Sequence, residues 1–304
     1  MKKKTKFIYP FICLLTAIIW GSGFPFQDMA GARPDLLDGF AFNSLRFVIA
    51  GIVVIPVFLI FERERELTGA EKKAKLRHTV LYGAISGAIL AISSALQQFG
   101  IQLTRESGKA GFITGLYLII VPVVAFFLFK QKTSIFVWIA IPISLLGLYF
   151  LSVSSAFTIK TGDLLVLACS FGYASQIIFI DKVGDKVSSI KFSCTQFFVA
   201  SIISFILSLI FGAFTLEGIS INILPIIYCG IFSAGAAYTL QVIGQKHTPP
   251  ALAALLFSTE GLFATVFECI FEGKAPSSRV LIGCVLMLIA IVFSQIPPKR
   301  SSNL

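Results

Sequence analysis

Residues 98–102 read Gln-Phe-Gly-Ile-Gln and residues 241–245 read Gln-Val-Ile-Gly-Gln, and both stretches lie inside long apolar segments. The second stretch follows the first at an offset of 143 positions. The same offset superimposes three further pairs, which are Ala110 on Ala253, Ser134 on Ser277 and Phe150 on Phe293. Polar side chains are costly inside membrane helices, so a matched pair of glutamines indicates that one structural unit occurs twice in the chain.

The apolar segments around these glutamines are too numerous and too long for a soluble protein. Hydrophobic residues make up 56% of the 304 residues, and charged residues only 13%. A helix needs about 20 mainly apolar residues to cross a bilayer. The pattern therefore predicts an all-α integral membrane protein. Its ten predicted transmembrane helices lie at residues 7–29, 38–61, 80–103, 108–129, 133–152, 161–181, 190–213, 221–245, 250–271 and 277–297.

The basic residues predict the orientation of these helices. Of the 25 Lys and Arg residues, eighteen lie in segments on the same side as the N-terminus, and six lie on the other side. Cytoplasmic segments of membrane proteins are enriched in Lys and Arg. We therefore expect both termini in the cytoplasm and a multi-pass protein of the cell (inner) membrane. The net charge of +10 then reflects orientation and contact with the lipid bilayer, and we expect no nucleic-acid partner.

The repeat divides the ten predicted helices into two sets of five, at residues 1–153 and 154–304. Because five is an odd number, the second set enters the membrane from the opposite side, and the two copies are inverted. Inverted repeats occur in secondary transporters, which bind their substrate between the copies and move one copy against the other. The sequence thus predicts a transporter of a small molecule, acting as a monomer or a homodimer.

Two charged residues lie deep inside predicted spans. Arg46 lies roughly 12 Å into the second span at 1.5 Å per residue. It could pack against backbone carbonyls or a carboxylate, anchor a substrate carboxylate, or pair with Glu260. Glu260 lies near the middle of the ninth span, and the 143-residue offset places it on Tyr117. Burial disfavours a charged carboxylate, so Glu260 is expected either to bind substrate or a proton, or to be an interhelical structural acid.

Other polar residues are expected at two depths in the membrane. Trp20, Tyr173 and Gln176 lie at or past the middle of the first and sixth spans, where they could line a cavity; Trp and Tyr also serve as interfacial anchors. The glutamines of the two repeated stretches lie closer to the surfaces. We expect them to contribute to gates or to simple interhelical hydrogen bonds. They are Gln98, Gln102, Gln241 and Gln245.

The sequence lacks the signatures of enzymes and cofactor-binding proteins. It has no nucleotide-binding glycine loop, no Cys/His metal spacing and no convincing Ser/His/Asp set. The six cysteines lie in apolar segments, where they are expected to be small buried hydrophobes. Residues 62–79 are expected to form a solvated linker or a surface helix. We therefore predict a non-enzyme without a cofactor or a metal.

Five stretches of the chain resemble the EamA-like ten-helix group of the drug/metabolite transporter superfamily. They are residues 17–24 (AIIWGSGF), 43–47 (NSLRF), 96–102 (LQQFGIQ), 110–117 (AGFITGLY) and 258–261 (STEG). The chain departs from the family at Gly261, where members often have proline. It also has Lys130-Gln131 and Gly273-Lys274 where many members have Gly-Glu or Arg-Glu.

The resemblance implies a secondary transporter with a central cavity and alternating access, which exports amino acids or related small metabolites. Proton coupling through Glu260 is one expectation, and an uncoupled facilitator of the same fold is the alternative. A non-transporting membrane sensor or scaffold is a further alternative. The cavity residues that the resemblance implies are Trp20, Thr114, Tyr117, Tyr173, Gln176, Tyr238 and Glu260.

Overall fold

The computed structural model describes residues 5–62, 68–152, 159–273 and 275–296, which fold almost entirely into helices. A π-helical stretch, Cys229–Tyr238, and a short 3₁₀ helix, Gly184–Lys186, complete the helical structure. The α-helices are α1 (Thr5–Ala30), α2 (Gly39–Phe61), α3 (Gly69–Thr104), α4 (Ser107–Thr114), α5 (Tyr117–Phe129), α6 (Ile135–Ser152), α7 (Thr161–Val183), α8 (Ser189–Phe211), α9 (Leu216–Ile221), α10 (Ile223–Tyr228), α11 (Thr239–Gln245), α12 (Pro250–Phe257), α13 (Glu260–Glu272) and α14 (Ser278–Ser294).

Eight of the ten predicted spans coincide with helical segments that are long and apolar enough to cross a membrane. The other two correspond to shorter apolar helices, Ile135–Leu151 and Ser278–Ser294. At 1.5 Å per residue, a helix of this length reaches roughly 26 Å, slightly less than the hydrocarbon thickness of about 30 Å. An all-helical membrane fold is therefore confirmed, whereas the number of ten spans and the side on which the termini lie stay predictions.

The helix termini meet at two ends of the bundle. At one end, the Asp38 carboxylate caps α2 by accepting a hydrogen bond from the Ala41 amide at 2.8 Å. It also accepts one from the Ala213 amide at 2.6 Å. At the opposite end, the Glu62 carboxylate accepts hydrogen bonds from the amides of Ile190 and Lys191 at 2.8 and 3.0 Å. We call these the Asp38 end and the Glu62 end.

The predicted linker at residues 62–79 is largely helical. Residues 63–67 lie outside the described residues, but α3 begins at Gly69 and continues for 36 residues to Thr104. Thr68 and Glu71 form a capping box at its start, in which each side chain bonds the backbone of the other. The basic residues after this cap therefore form the exposed first turns of α3, which continues into the predicted span at 80–103, in place of the expected solvated linker or surface helix.

Glycines allow the closest helix contacts in the bundle. A Cβ atom on Gly100 of α3 would lie 2.8 Å from the carbonyl oxygen of Gly162 in α7, and the reverse distance is also 2.8 Å. Gly147 of α6 and Gly283 of α14 have the same reciprocal relationship, at 3.1 and 2.8 Å. Small residues at such contacts let helix backbones approach and pack closely in membranes. The helix pairs α3–α7 and α6–α14 are built on these contacts.

Two long helical segments are interrupted at equivalent places. Gly115 and Leu116 separate α4 from α5, and Ser258 and Thr259 separate α12 from α13. These two breaks lie 143 positions apart, the offset of the sequence repeat. At each break the hydrogen bonding tightens to the i−3 carbonyl, from Leu116 to Ile113 at 3.2 Å and from Thr259 to Leu256 at 3.3 Å. Discontinuous helices in corresponding positions of two halves mark binding sites in transporters.

Candidate substrate cavity

The helices form a narrow cavity between the two halves of the chain, with an accessible volume of about 30 Å³. Side chains from α1, α2, α3, α5, α7, the π-helical stretch, α11 and α13 line it. This volume holds about one or two water molecules, so a small organic molecule would enter only if the lining helices moved apart. The lining residues are Trp20, Phe24, Gln27, Arg46, Gln97, Tyr117, Tyr173, Ile177, Ser233, Tyr238, Gln241 and Glu260.

The two residues that directly follow the helix breaks meet across this cavity. The Tyr117 hydroxyl donates a hydrogen bond to Glu260 Oε1 at 3.0 Å. Glu260 is only 5% exposed and Tyr117 only 2%. A buried carboxyl group requires a hydrogen-bond partner, and Tyr117 supplies it from the other half of the chain.

Arg46 brings a guanidinium group to the same cavity. It is 2% exposed, and its Nη1 donates a hydrogen bond to Gln27 Oε1 at 3.3 Å. Its guanidinium lies over the rings of Phe42 and Phe47, at 5.4 and 4.9 Å from their centroids. Its Nε and Nη2 atoms have no hydrogen-bond partner in the described part of the chain. Arg46 and Glu260 therefore face one cavity without forming an ion pair.

A chain of hydrogen bonds joins the polar side chains of the cavity wall. The Tyr238 hydroxyl donates to the Tyr173 hydroxyl at 3.3 Å, and Tyr173 donates to Gln97 Oε1 at 3.2 Å. The Gln97 amide nitrogen donates to Thr114 Oγ1 at 3.1 Å. Ser94 Oγ lies 3.3 Å from the Tyr173 oxygen. Thr114 thus lies behind Gln97 and supports the wall without lining the cavity.

Aromatic rings form a second part of the wall. Trp20 meets Tyr238 and Phe257 edge to face, with ring centroids 4.9 and 5.4 Å apart. The Trp20 indole nitrogen donates to the backbone oxygen of Ser233 at 3.1 Å. This bond occupies the only polar group of the indole and leaves its ring for apolar or cation–π contact with a ligand. Trp20 thus lies in the protein interior with a fixed orientation.

Gln176 does not line the cavity, although the sequence resemblance implied it. It is fully buried in a separate cluster, where its amide nitrogen donates to Gln196 Oε1 at 3.3 Å and to Ser86 Oγ at 3.4 Å. Ser86 in turn donates to Gln196 Oε1 at 2.9 Å. Helix α7 therefore directs Tyr173 into the cavity and Gln176 toward α3 and α8.

Two of the four repeated glutamines donate hydrogen bonds to the backbones of neighbouring helices, one at each end of the cavity. Gln98 of α3 donates to the Gln27 carbonyl oxygen of α1 at 3.0 Å, toward the Asp38 end. Gln245 of α11 donates to the Ile177 carbonyl oxygen of α7, toward the Glu62 end. Gln241 lines the cavity itself. Gln102 packs close to the backbone at Gly31 and Gly39.

An ion-pair cluster closes the bundle at the Asp38 end. Lys109 of α4 and Asp163 of α7 form a buried pair at 2.6 Å. Lys109 also lies 3.8 Å from Glu106, and Glu106 pairs with Lys160. The hydrogen bond from Lys160 to Glu106 raises the pKa of the exposed lysine above its ordinary value. The cluster joins the first turns of α4 and α7.

The sequence patterns did not identify some of the residues that line the cavity. Gln27 and Gln97 are polar residues inside predicted spans, and this property alone could have identified them. Phe24, Ile177 and Ser233 carry no such signal, because apolar and small residues are common throughout membrane helices. In the described part of the chain, no group of three or more His, Cys, Asp or Glu residues could hold a metal ion, and the six cysteines are free thiols.

Comparison with known proteins identifies relatives along the whole chain. The EamA-like transporter family matches residues 7–153 and again residues 160–295. An uncharacterized transporter of Archaeoglobus fulgidus is 29% identical over 281 residues, covering 91% of this chain and 82% of that protein. An uncharacterized transporter of Clostridium kluyveri is 25% identical, covering 97% and 95% of the two chains. One crystal structure has the same fold, with a TM-score of 0.75 over 95% of this chain and 98% of that chain, at 17% identity.

Proposed function

Because the chain belongs to the EamA-like transporter family, we propose that it is a secondary transporter that exports amino acids or related small metabolites through its central cavity. The observation that carries this proposal is the placement of two oppositely chargeable groups on one buried cavity. Arg46 and Glu260 both line the cavity, and they do not pair with each other.

These two groups suit a substrate that carries a carboxylate and an ammonium group. Guanidinium groups bind carboxylates with two parallel hydrogen bonds, and the Nε and Nη2 atoms of Arg46 provide a suitable edge. Glu260 provides a carboxyl group for the ammonium end, beside the aromatic rings of Trp20 and Tyr238. A buried arginine without a counterion is costly, so a substrate carboxylate would supply a missing partner.

The proposed mechanism is alternating access between two inverted five-helix repeats, residues 1–153 and 154–304. Two features of the chain support it. The helix breaks lie at the same repeat positions, and the family matches the two halves separately. Gln98 links α3 to α1 toward the Asp38 end, while Gln245 links α11 to α7 toward the Glu62 end. These links are suited to gates that open in turn as one repeat moves against the other.

We propose that Glu260 is the group that binds and releases the coupled proton. A carboxyl group in a cavity that opens to each side in turn can take up a proton on one side and release it on the other. The hydrogen bond from Tyr117 also gives Glu260 a structural partner, which favours the alternative of an uncoupled facilitator of the same fold. In both cases, we place ten spans in the cell (inner) membrane with both termini in the cytoplasm.

The proposal is tested by transport into proteoliposomes of the full-length protein. Labelled amino acids, drug-like cations, purines and organic acids are supplied separately, with and without an imposed pH gradient. We expect saturable uptake of amino acids that the gradient increases. Saturable uptake that ignores the gradient would establish the facilitator instead. If folded protein takes up none of the four classes, the transport proposal is wrong, and the sensor or scaffold alternative replaces it.

A further inference from the structure

We propose that Gln97 sets the hydrogen-bonding direction of the cavity tyrosines and so makes this wall selective for the ammonium end of a ligand. The inference rests on the proposed function, because it concerns how the same cavity recognises its substrate. Gln97 is not among the cavity residues that the family resemblance implied. It is only 5% exposed, and it is the one glutamine of the Gln97–Gln98 pair that lines the cavity.

The Gln97 amide lies between two hydroxyl groups, those of Thr114 and Tyr173. Its nitrogen donates to Thr114 Oγ1 at 3.1 Å, and its oxygen therefore lies on the opposite side, 3.2 Å from the Tyr173 hydroxyl. An amide oxygen can only accept hydrogen bonds. The single hydroxyl proton of Tyr173 is consequently directed at Gln97, and Ser94 Oγ, 3.3 Å from the Tyr173 oxygen, then acts toward it as the donor.

This constraint passes from Tyr173 to Tyr238. Because Tyr173 has used its proton, its oxygen acts toward Tyr238 as an acceptor, and Tyr238 donates to it at 3.3 Å. The proton of Tyr238 is then also used. Tyr238 lines the cavity, so its hydroxyl oxygen offers only lone pairs to a ligand there.

The Tyr117 hydroxyl also presents only lone pairs to the cavity, because its proton has a different partner. Its hydroxyl donates to Glu260 at 3.0 Å, so its oxygen also offers lone pairs. The wall formed by Tyr117, Tyr238 and Glu260 therefore accepts hydrogen bonds, and the ring of Trp20 adds an aromatic face beside it. Acceptors next to aromatic faces bind ammonium groups. The charged donor of the cavity is Arg46, which does not pair with Glu260.

Without the Gln97 oxygen, the hydroxyl protons of Tyr173 and Tyr238 would no longer have a fixed direction. The Tyr173 hydroxyl could then rotate and donate to Tyr238, and Tyr238 could present its proton to the cavity. A wall that presents a proton repels an ammonium group and no longer discriminates against neutral or anionic ligands. Gln97 is thus a positioning residue, since it acts on the ligand through Tyr173 and Tyr238.

The test uses three probes that share one ring and differ in charge: L-phenylalanine, 2-phenylethylamine and 3-phenylpropionate. The protein has two tryptophans, so Trp138→Phe leaves Trp20 as the only tryptophan reporter of cavity binding. Dissociation constants are measured by Trp20 fluorescence in purified full-length protein. Gln97→Met removes the acceptor at similar volume, whereas Gln97→Glu keeps an oxygen there. Gln196→Met is the matched control, because Gln196 is also buried but lies outside the cavity.

We expect Gln97→Met to raise the dissociation constants of the two amine-bearing probes about tenfold and to leave that of 3-phenylpropionate unchanged. Gln97→Glu is expected to keep the preference for amines, and Gln196→Met to change none of the three constants. Equal weakening of all three probes by Gln97→Met, or unchanged amine binding, would overturn the inference alone. If the parent protein binds none of the three probes, the inference about Gln97 is wrong, whereas the proposed function is still decided by the uptake of labelled amino acids.

Discussion

Tyr117 and Glu260 are hydrogen-bonded to each other at 3.0 Å although 143 residues separate them, and that number is the offset of the sequence repeat. Each residue is the first of a helix that resumes after a break, α5 for Tyr117 and α13 for Glu260. The same position in the two halves therefore contributes the hydrogen-bond donor in one half and the acceptor in the other. The bond joins the two halves at the cavity, so a movement of one half against the other must strain or break it.

Replacement of Glu260 tests proton coupling. We expect Glu260→Gln to abolish the response of uptake to an imposed pH gradient, because the amide cannot release a proton, while substrate exchange without a gradient persists. Tyr117→Phe is the matched control, since it removes the hydrogen bond but keeps the carboxyl group. Uptake into proteoliposomes at equal and unequal pH measures both. If Glu260→Gln transport still follows the gradient as the parent does, Glu260 is not the coupling group.

Replacement of Arg46 tests recognition of a substrate carboxylate. We expect Arg46→Met to weaken binding of carboxylate-bearing ligands at least tenfold and to leave binding of the corresponding amines unchanged. Arg46→Lys keeps the charge but not the planar edge, so an intermediate loss is expected. Competition against a labelled amino acid compares the variants. Equal losses for carboxylates and amines would indicate that Arg46 supports helix packing only.

The buried pair of Lys109 and Asp163 is expected to stabilise the Asp38 end of the bundle. Lys109→Met leaves the Asp163 carboxylate without its closest cation, and breaking such a pair lowers stability by about 3–5 kcal/mol. Lys109→Arg retains the charge and should restore most of the loss. Thermal unfolding in detergent measures both variants. The exposed pair of Arg33 and Asp35 is the control, and Arg33→Met should leave the unfolding temperature unchanged.

The contact between α3 and α7 is expected to tolerate no side chain at Gly100. A Cβ atom there would lie 2.3 Å from Val166 Cγ2 and 2.8 Å from the Gly162 carbonyl oxygen, which cannot move independently of its helix. We expect Gly100→Ala to lower stability by about 1–3 kcal/mol, as for other overpacked sites. A Cβ atom on Gly69 would meet no other atom within 4 Å, so Gly69→Ala should be neutral. Equal unfolding temperatures for the two variants would contradict the contact.

The sequence by itself determined the class of fold and the family. Long apolar segments form membrane helices because a backbone in lipid must satisfy its own hydrogen bonds, and this requirement depends on local composition alone. The EamA-like family is confirmed, and so is the all-helical membrane fold. The repeat in the sequence also predicted that Tyr117 and Glu260 occupy equivalent positions, because the offset needs no structure to be measured.

Only the tertiary structure decided which polar residues share the cavity. Tyr173 and Gln176 are three residues apart on α7, yet one lines the cavity and the other packs in a separate cluster. The direction that each side chain takes depends on how its helix is rotated against its neighbours, and in apolar surroundings sequence periodicity carries little information about that rotation. For the same reason, the hydrogen-bonded chain from Tyr238 through Tyr173 to Gln97 emerged only when α3, α7 and the π-helical stretch were packed together.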